Sequence, residues 1–320
     1  YNHGAPGRDH WTKTEKVFVP VNVALAAVML WFVSPMIDVE AATETVTIED
    51  ETGTIQEYEV ARHGYHREII AFFWENQTGN PELDWLSYGL PMMLEHDINR
   101  VSPVDSALLK RRLREQGYDR LLGVPTGLAT ELSRERQSDA LIVGSFSEDG
   151  DSKVVSARLI DAASGDVIET ITSSASDWMT AVDTVTAAVL GAWEITPSEN
   201  HRDDAVSDHF TASLDAVRHF VQAYVAVQID GDYPRGVSEF TAALEIDPAF
   251  AEARSELSVI QYLSGDLEAA RESATQALRN SYRLSKSSEF IVKANRYMFD
   301  GDFDRGERVL DIWTEVEPNS

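Results

Sequence analysis

Cysteine is absent from the 320 residues. That absence excludes disulfides, zinc-thiolate sites and thiol nucleophiles, and leaves the redox compartment open, because a cysteine-free chain suits either side of a membrane. Basic residues are scarce: 27 Lys and Arg stand against 54 Asp and Glu, a formal charge of −27. Such a chain repels phosphate backbones, so nucleic acid is not an expected partner without a local basic patch. The one basic cluster, Lys110-Arg111-Arg112 with Arg114, falls on the polar face of an expected helix and reads as a solvated face. Also missing are a P-loop, a G-x-G-x-x-G after a strand, H-E-x-x-H, G-x-S-x-G and the kinase H-R-D and D-F-G signatures. The expectation is a protein that is no enzyme and takes no cofactor or metal. Paired carboxylates such as Glu82 and Asp84 do not alter it, since pairs arise by chance in so acidic a chain.

Long apolar runs are missing too, with one exception. Val17 to Ile37 is an uncharged run of 21 residues, and at about 1.5 Å per residue it matches a hydrocarbon core of about 30 Å. Pro20 and Pro35 lie near its ends, where a helix loses least, and Trp31 lies toward one interface. Lys13 and Lys16 precede it, whereas Asp38, Glu40, Glu44, Glu49, Asp50 and Glu51 follow. The expectation is a cytoplasmic juxtamembrane segment (1–16), a transmembrane helix (17–37) and extracytoplasmic domains after it, which in a Gram-negative bacterium means an inner (cytoplasmic) membrane anchor and a periplasmic location.

Residues 38–66 read as a linker with a β-hairpin, Thr45–Glu49 and Thr54–Val60 around the turn Asp50-Glu51-Thr52-Gly53. His63 and His66 have a spacing that admits a shared metal, but no third ligand is in view and two solvated histidines is the plainer reading. An α/β domain is expected over 67–197. It opens with an apolar strand, Ile69 to Trp74, then a polar loop closed by Gly79, Asn80 and Pro81. Next comes a helix carrying Leu86, Leu90, Met93, Leu94 and Ile98, its regular part starting near Gly89 because Pro91 lies inside the stripe. A short strand (101–104), a helix from Asp105 or Ser106 to Gln116 and a helix capped by Thr126 follow. Three β runs, 139–147, 153–161 and 167–172, are separated by two tight turns and make an antiparallel meander. An amphipathic helix with Trp178, Ala181, Val182, Val185 and Val189 on one face closes the domain.

The run FFWENQTGNPELDWLSYGLPMML, followed by DALIVGSFSEDGDSKVVSARLIDAASGDVI, resembles the TolB-like amino-terminal domain family, related to FlgO- and CsgG-type envelope domains. Trp74 stands in the place of a Phe and Tyr88 where many members have Asp, which puts any role for a carboxylate there in doubt. The resemblance implies a small α/β domain used for protein contacts in the cell envelope, with no assigned reaction. Such domains often stand between a membrane span and tetratricopeptide repeats.

A polar linker (198–210) contains His201, Asp203, Asp204, Asp208 and His209, a group that reads as solvated before it reads as a cation site. Gly231-Asp232-Tyr233, Gly265-Asp266-Leu267 and Gly301-Asp302-Phe303 then recur at spacings of 34 and 36 residues. That period of paired helices resembles the tetratricopeptide repeat, expected over 211–320 and incomplete at its C-terminal end. The expected fold class is therefore α/β plus all-α: one transmembrane helix, a TolB-like α/β domain with an antiparallel meander, and a helical solenoid.

By analogy with the repeat family, the first helix of each pair lines a concave groove. This nominates Arg218, Val221, Val225, Gln228, Glu252, Ser255, Val259, Tyr262, Ile291, Asn295 and Met298 as partner-binding residues. Equally, Val221, Val259 and Ile291 can pack between helices. The function expected is a membrane-anchored, extracytoplasmic, non-catalytic scaffold that holds a peptide or helix of a protein partner in the groove. The alternative is the sensory half of a membrane kinase or nucleotide cyclase whose catalytic domain lies upstream.

Overall fold

A computed structural model describes residues 43–61, 68–98, 101–103, 107–192 and 205–316. Strands β1 (Thr43–Glu49) and β2 (Ile55–Ala61) pair antiparallel as an isolated two-stranded sheet. Asp50 starts their turn by accepting hydrogen bonds from the backbone N–H of Thr52 and Thr54 at 2.8 and 2.9 Å.

The α/β unit begins with β3 (Ile69–Ala71) and β4 (Glu75–Asn76), both parallel to β6 (Ala140–Asp149). The opening strand is thus shorter than the expected Ile69–Trp74, although the Phe72 N–H still donates to the Ile142 carbonyl at 2.9 Å. β5 (Val101–Pro103) adds the parallel edge, and β7 (Ser152–Asp161) and β8 (Val167–Ala175) complete the meander, for a sheet order β5-β3-β6-β7-β8. Helix α1 (Leu86–Ile98) follows the polar loop, and α2 (Ala107–Glu115) and α3 (Thr126–Glu135) lie between β5 and β6. Thr126 is not the cap of α3; Pro125 holds that place, and the Thr126 hydroxyl accepts from Arg158 instead. Helix α4 (Trp178–Ala192) packs across β7, β8 and α1 with Trp178, Ala181, Val182, Val185 and Val189 buried.

Helix α1 starts at Leu86, not near Gly89, and keeps Pro91 inside. Proline has no N–H to give the carbonyl four residues back. That carbonyl, on Ser87, accepts from the backbone N–H of Trp74 at 2.9 Å. The bond missing inside the helix is replaced by one tying it to the end of the opening strand.

The rest is helical. α5 (Leu214–Tyr224) runs on through a π-helical segment (Val225–Asp230), followed by α6 (Tyr233–Ile246), α7 (Ala251–Leu263), α8 (Leu267–Arg279), α9 (Lys286–Phe299) and α10 (Phe303–Val316). They form three antiparallel helical pairs, α5/α6, α7/α8 and α9/α10. Gly231, Gly265 and Gly301 each end the first helix with φ of 70, 85 and 80°, a left-handed turn that L-residues with a Cβ adopt at a cost. The Asp that follows each caps the second helix, its carboxylate accepting from the backbone N–H of Arg235, Ala269 and Arg305.

One apolar core runs from Ile69 of the sheet to Ile260 of α7, so the α/β unit and the first helices are packed as one body. The expected fold class is corrected in one respect: among the described residues no helix is long and apolar enough to cross a membrane, and a transmembrane helix is not part of the described architecture. Residues 17–37, which carried that expectation, lie outside the described residues, as do His63, His66, His201, Asp203 and Asp204. The inner-membrane placement and the membrane contact drawn from that run therefore have no structural support.

Candidate functional site

Helix α1 and helix α5 meet where Gly89 faces Val221. A Cβ at Gly89 would sit 3.0 Å from the Trp85 ring and 3.3 Å from Val221 Cγ2, so a side chain there would press on both. A cleft opens on each side of this contact.

The first cleft, about 220 Å³, is walled by Met92 and His96 of α1, Phe210, Phe220 and Tyr224, Gln228 of the π-helical segment, and Glu252 and Glu256 of α7. Phe210 contacts Phe220 and Phe250 edge-on at 5.6 and 4.8 Å between ring centres, a geometry that suits the ring quadrupoles. His96 is buried, stacked on His209 at 5.3 Å, with Nδ1 3.3 Å from Glu252 Oε1. Glu252 also accepts from the backbone N–H of Ser285, the residue that caps α9. His209 pairs with Asp97 at 3.0 Å. A half-buried His209 packed on His96 replaces the solvated linker residue expected from sequence, because the turn Val206–His209 folds against α1 and α4.

The second cleft, about 400 Å³, is built from the opening stretch: Trp74, Asp84, Trp85 and Tyr88 face Arg120, Val221, Val225 and Arg235. Its polar loop is satisfied from within. Asn76 accepts from the N–H and hydroxyl of Thr78 and donates to the Asn80 carbonyl and to Asp84 Oδ1, the last at 2.7 Å. Tyr88 donates its hydroxyl to the Arg120 carbonyl at 3.0 Å and packs edge-on against Phe73. Burial pushes its phenol above the usual range, and the neighbouring Arg120 opposes that shift.

The nominated groove residues divide among several surroundings. Gln228 and Glu252 line the first cleft, and Val221 and Val225 the second. Val221 and Ser255 are fully enclosed, and Val259, Asn295 and Met298 are half-buried. Arg218 is exposed and paired with Asp215 at 3.1 Å. Tyr262 and Ile291 are exposed, Tyr262 stacked on Phe299 at 4.8 Å. The basic cluster is only partly a solvated face: Lys110 donates to the Gln228 side chain at 2.8 Å and Arg114 to its carbonyl at 3.2 Å.

Sequence reasoning missed Met92, His96, Phe210 and Tyr224. A signal for the first two was present, since Met92 and His96 are one turn apart on the side of α1 away from the named stripe. Among the described residues no group of three or more His, Asp or Glu side chains is arranged to hold a metal. The arrangement is suited to binding: aromatic walls, carboxylates at the rim and histidines held by partners.

No family model matches the chain, and no curated protein matches it. Among solved structures, the C-terminal domain of LpoB from Salmonella enterica aligns at 15% identity and TM-score 0.30, over 35% of this chain and 84% of that one. Lipoprotein GNA1162 from Neisseria meningitidis aligns at 15% identity and TM-score 0.27, over 41% of this chain and 99% of its own. A PelC dodecamer subunit from Paraburkholderia phytofirmans aligns at 16% identity and TM-score 0.27, over 44% and 98%. At TM-scores this low the likenesses decide neither fold nor function.

Proposed function

We propose that this chain is a non-catalytic protein-interaction module of the cell envelope, with a TolB-like domain and tetratricopeptide-type helical pairs jointly holding a peptide or helix of a protein partner. The observation that carries this reading is the first cleft, a concave, aromatic-walled site to which both units contribute. Sites of this kind bind through apolar burial, with a few polar groups setting orientation. The residue types in the TolB-like motif and in the Gly-Asp turns support the family reading.

Replacing Gln228 by a photo-reactive amino acid in cells, with the exposed Arg158 of β7, which does not line the cleft, as control, tests it. The reading predicts a discrete protein adduct from position 228 that disappears in a Tyr224→Ala background. No adduct, or the same adduct from position 158, contradicts it.

A further inference from the structure

The third helical pair has two faces. At about 100° per residue along a helix, Val292, Arg296 and Phe299 of α9 point to one side. There they meet the second pair: Val292 and Phe299 share an apolar cluster with Ala270, Ala274 and Ala277, and Arg296 Nε donates to Thr275 Oγ1 at 2.8 Å. Phe290, Lys293 and Tyr297 point to the opposite side. In a stack of helical pairs, this second face is where a following pair packs.

Here β1 and β2 cover it. Ile48 and Val60 are buried in one cluster with Phe290, Ala294, Val309, Ile312 and Val316. The hairpin alternates as a cover requires: Val46, Ile48, Tyr58 and Val60 face the helices, whereas Thr45, Thr47, Glu49 and Glu57 are exposed. A polar latch fixes the fit. Glu51, its side chain 2% exposed, accepts from Lys293 Nζ at 2.9 Å and from the Tyr297 hydroxyl at 3.1 Å. Arg308 donates to the Glu49 carbonyl at 2.8 Å. The second carboxylate oxygen of Glu51 is buried with no partner, so the latch is specific but incomplete. A lone two-stranded hairpin is marginal in water, so its order depends on these helices.

We propose that residues 43–61 are a releasable end cap supplied by the chain itself: docked, the hairpin takes the stacking face of α9/α10 in place of a further helical pair; released, it opens that face to one. The occupant is this chain's own hairpin, because the buried Glu51 carboxylate meeting the partly exposed Lys293 gives the docking a charge match that a purely apolar cover would lack. The proposal does not rest on the cleft or on the interaction reading above.

Hydrogen exchange on the whole chain tests it. Glu51→Lys sets two ammonium groups together and is expected to raise exchange in residues 43–61 and in α9/α10 by at least about tenfold, leaving α5 to α8 and the central sheet unchanged. The swap Glu51→Lys with Lys293→Glu is expected to restore protection. Should Glu51→Lys fail to fold, Ile48→Asp gives the same reading through the apolar contact. Exchange in α9/α10 that does not respond to either variant overturns the proposal. Because the chain has no cysteine, Glu51→Cys and Lys293→Cys can be joined by a short bismaleimide. A monomer-mass product is expected, and a product of twice the mass would hand the face to a second copy and overturn the own-chain assignment.

Discussion

At the scale of residues, Trp74 packs directly over Gly144 of β6. A Cβ on Gly144 would stand 2.8 Å from the indole carbons Cδ2 and Cε2. The glycine of the G-S-F strand is therefore the surface on which the large ring lies. Gly144→Ala should destabilise the protein by about 1–3 kcal/mol through overpacking, and Trp74→Phe should recover part of that loss, measured as a double-mutant cycle from urea midpoints. Additive effects would show that the two do not touch. Charge at single residues sets a second expectation, for the hairpin. Hydrogen bonds from the Thr52 side chain and the Thr54 backbone lower the Asp50 pKa from 3.8 to about 2. A lowered carboxylate pKa gives a contribution that is complete above the unfolded value and lost as pH falls toward the folded one. Burial works against the Lys293 ammonium, yet its hydrogen bond to Glu51 and the Glu51 charge outweigh that and raise its pKa above 10.5. A raised lysine contributes fully below its unfolded pKa, and that contribution is lost as pH rises through the folded value. Burial raises the phenols of Tyr58 and Tyr297 in the same region, which acts in the same alkaline direction. The hairpin turn, followed by the chemical shift of Thr52, should weaken as pH falls from 3.8 toward about 2, and hairpin docking, followed by that of Val60, should hold across neutral pH and weaken above pH 10.5.

At the scale of elements, the Gly-Asp turns repeat one device three times. Asp266→Ala removes the side chain that accepts from the Ala269 N–H, and a lost N-cap costs about 0.5–2 kcal/mol. Urea unfolding should register that loss, whereas Glu268→Ala, an exposed acidic residue in the first turn of the same helix, should cost no more than about 0.3–1 kcal/mol through the helix dipole. These turns were legible in sequence because glycine and aspartate act locally, through φ and through a cap. The meander was legible for a like reason, its turns being set by Asp149-Gly150 and Ser164-Gly165. What stayed hidden depends on distant partners. The start of α1 was misplaced because Pro91 argues against a helix by itself, and only the Trp74 N–H, seventeen residues upstream (91 − 74), satisfies the carbonyl it leaves. His209 read as a linker residue because nothing near it in sequence announces Asp97 or His96. The hairpin was expected, but its seat on α9/α10 was not, since that contact joins positions 246 residues apart.

At the scale of the whole molecule, the α/β unit, the first helical pair and α7 share a core, and the candidate cleft exists only while they do. Gly89 and Val221 set the approach of α1 to α5, and Lys110, Arg114 and Arg120 reach Gln228 and Asp230 beside it. Exposed bonds of this kind add little each; the cluster of buried Phe210 and Phe250 with partly buried Phe220, packed against His96, carries the junction. Phe210→Ala should cost about 3–5 kcal/mol and lower the adduct yield from position 228 with it. The measurement that bears most directly on this account is denaturant unfolding of the whole chain followed by two probes, tryptophan fluorescence for the α/β unit in a variant that keeps only Trp74 and Trp178 of the seven tryptophans, and far-ultraviolet dichroism for the helices. A shared core predicts coincident transitions with one midpoint, shifted together by Phe210→Ala. Two separated transitions, with only the helical one moved by that substitution, would contradict it and dissolve the joint cleft on which the proposed function stands.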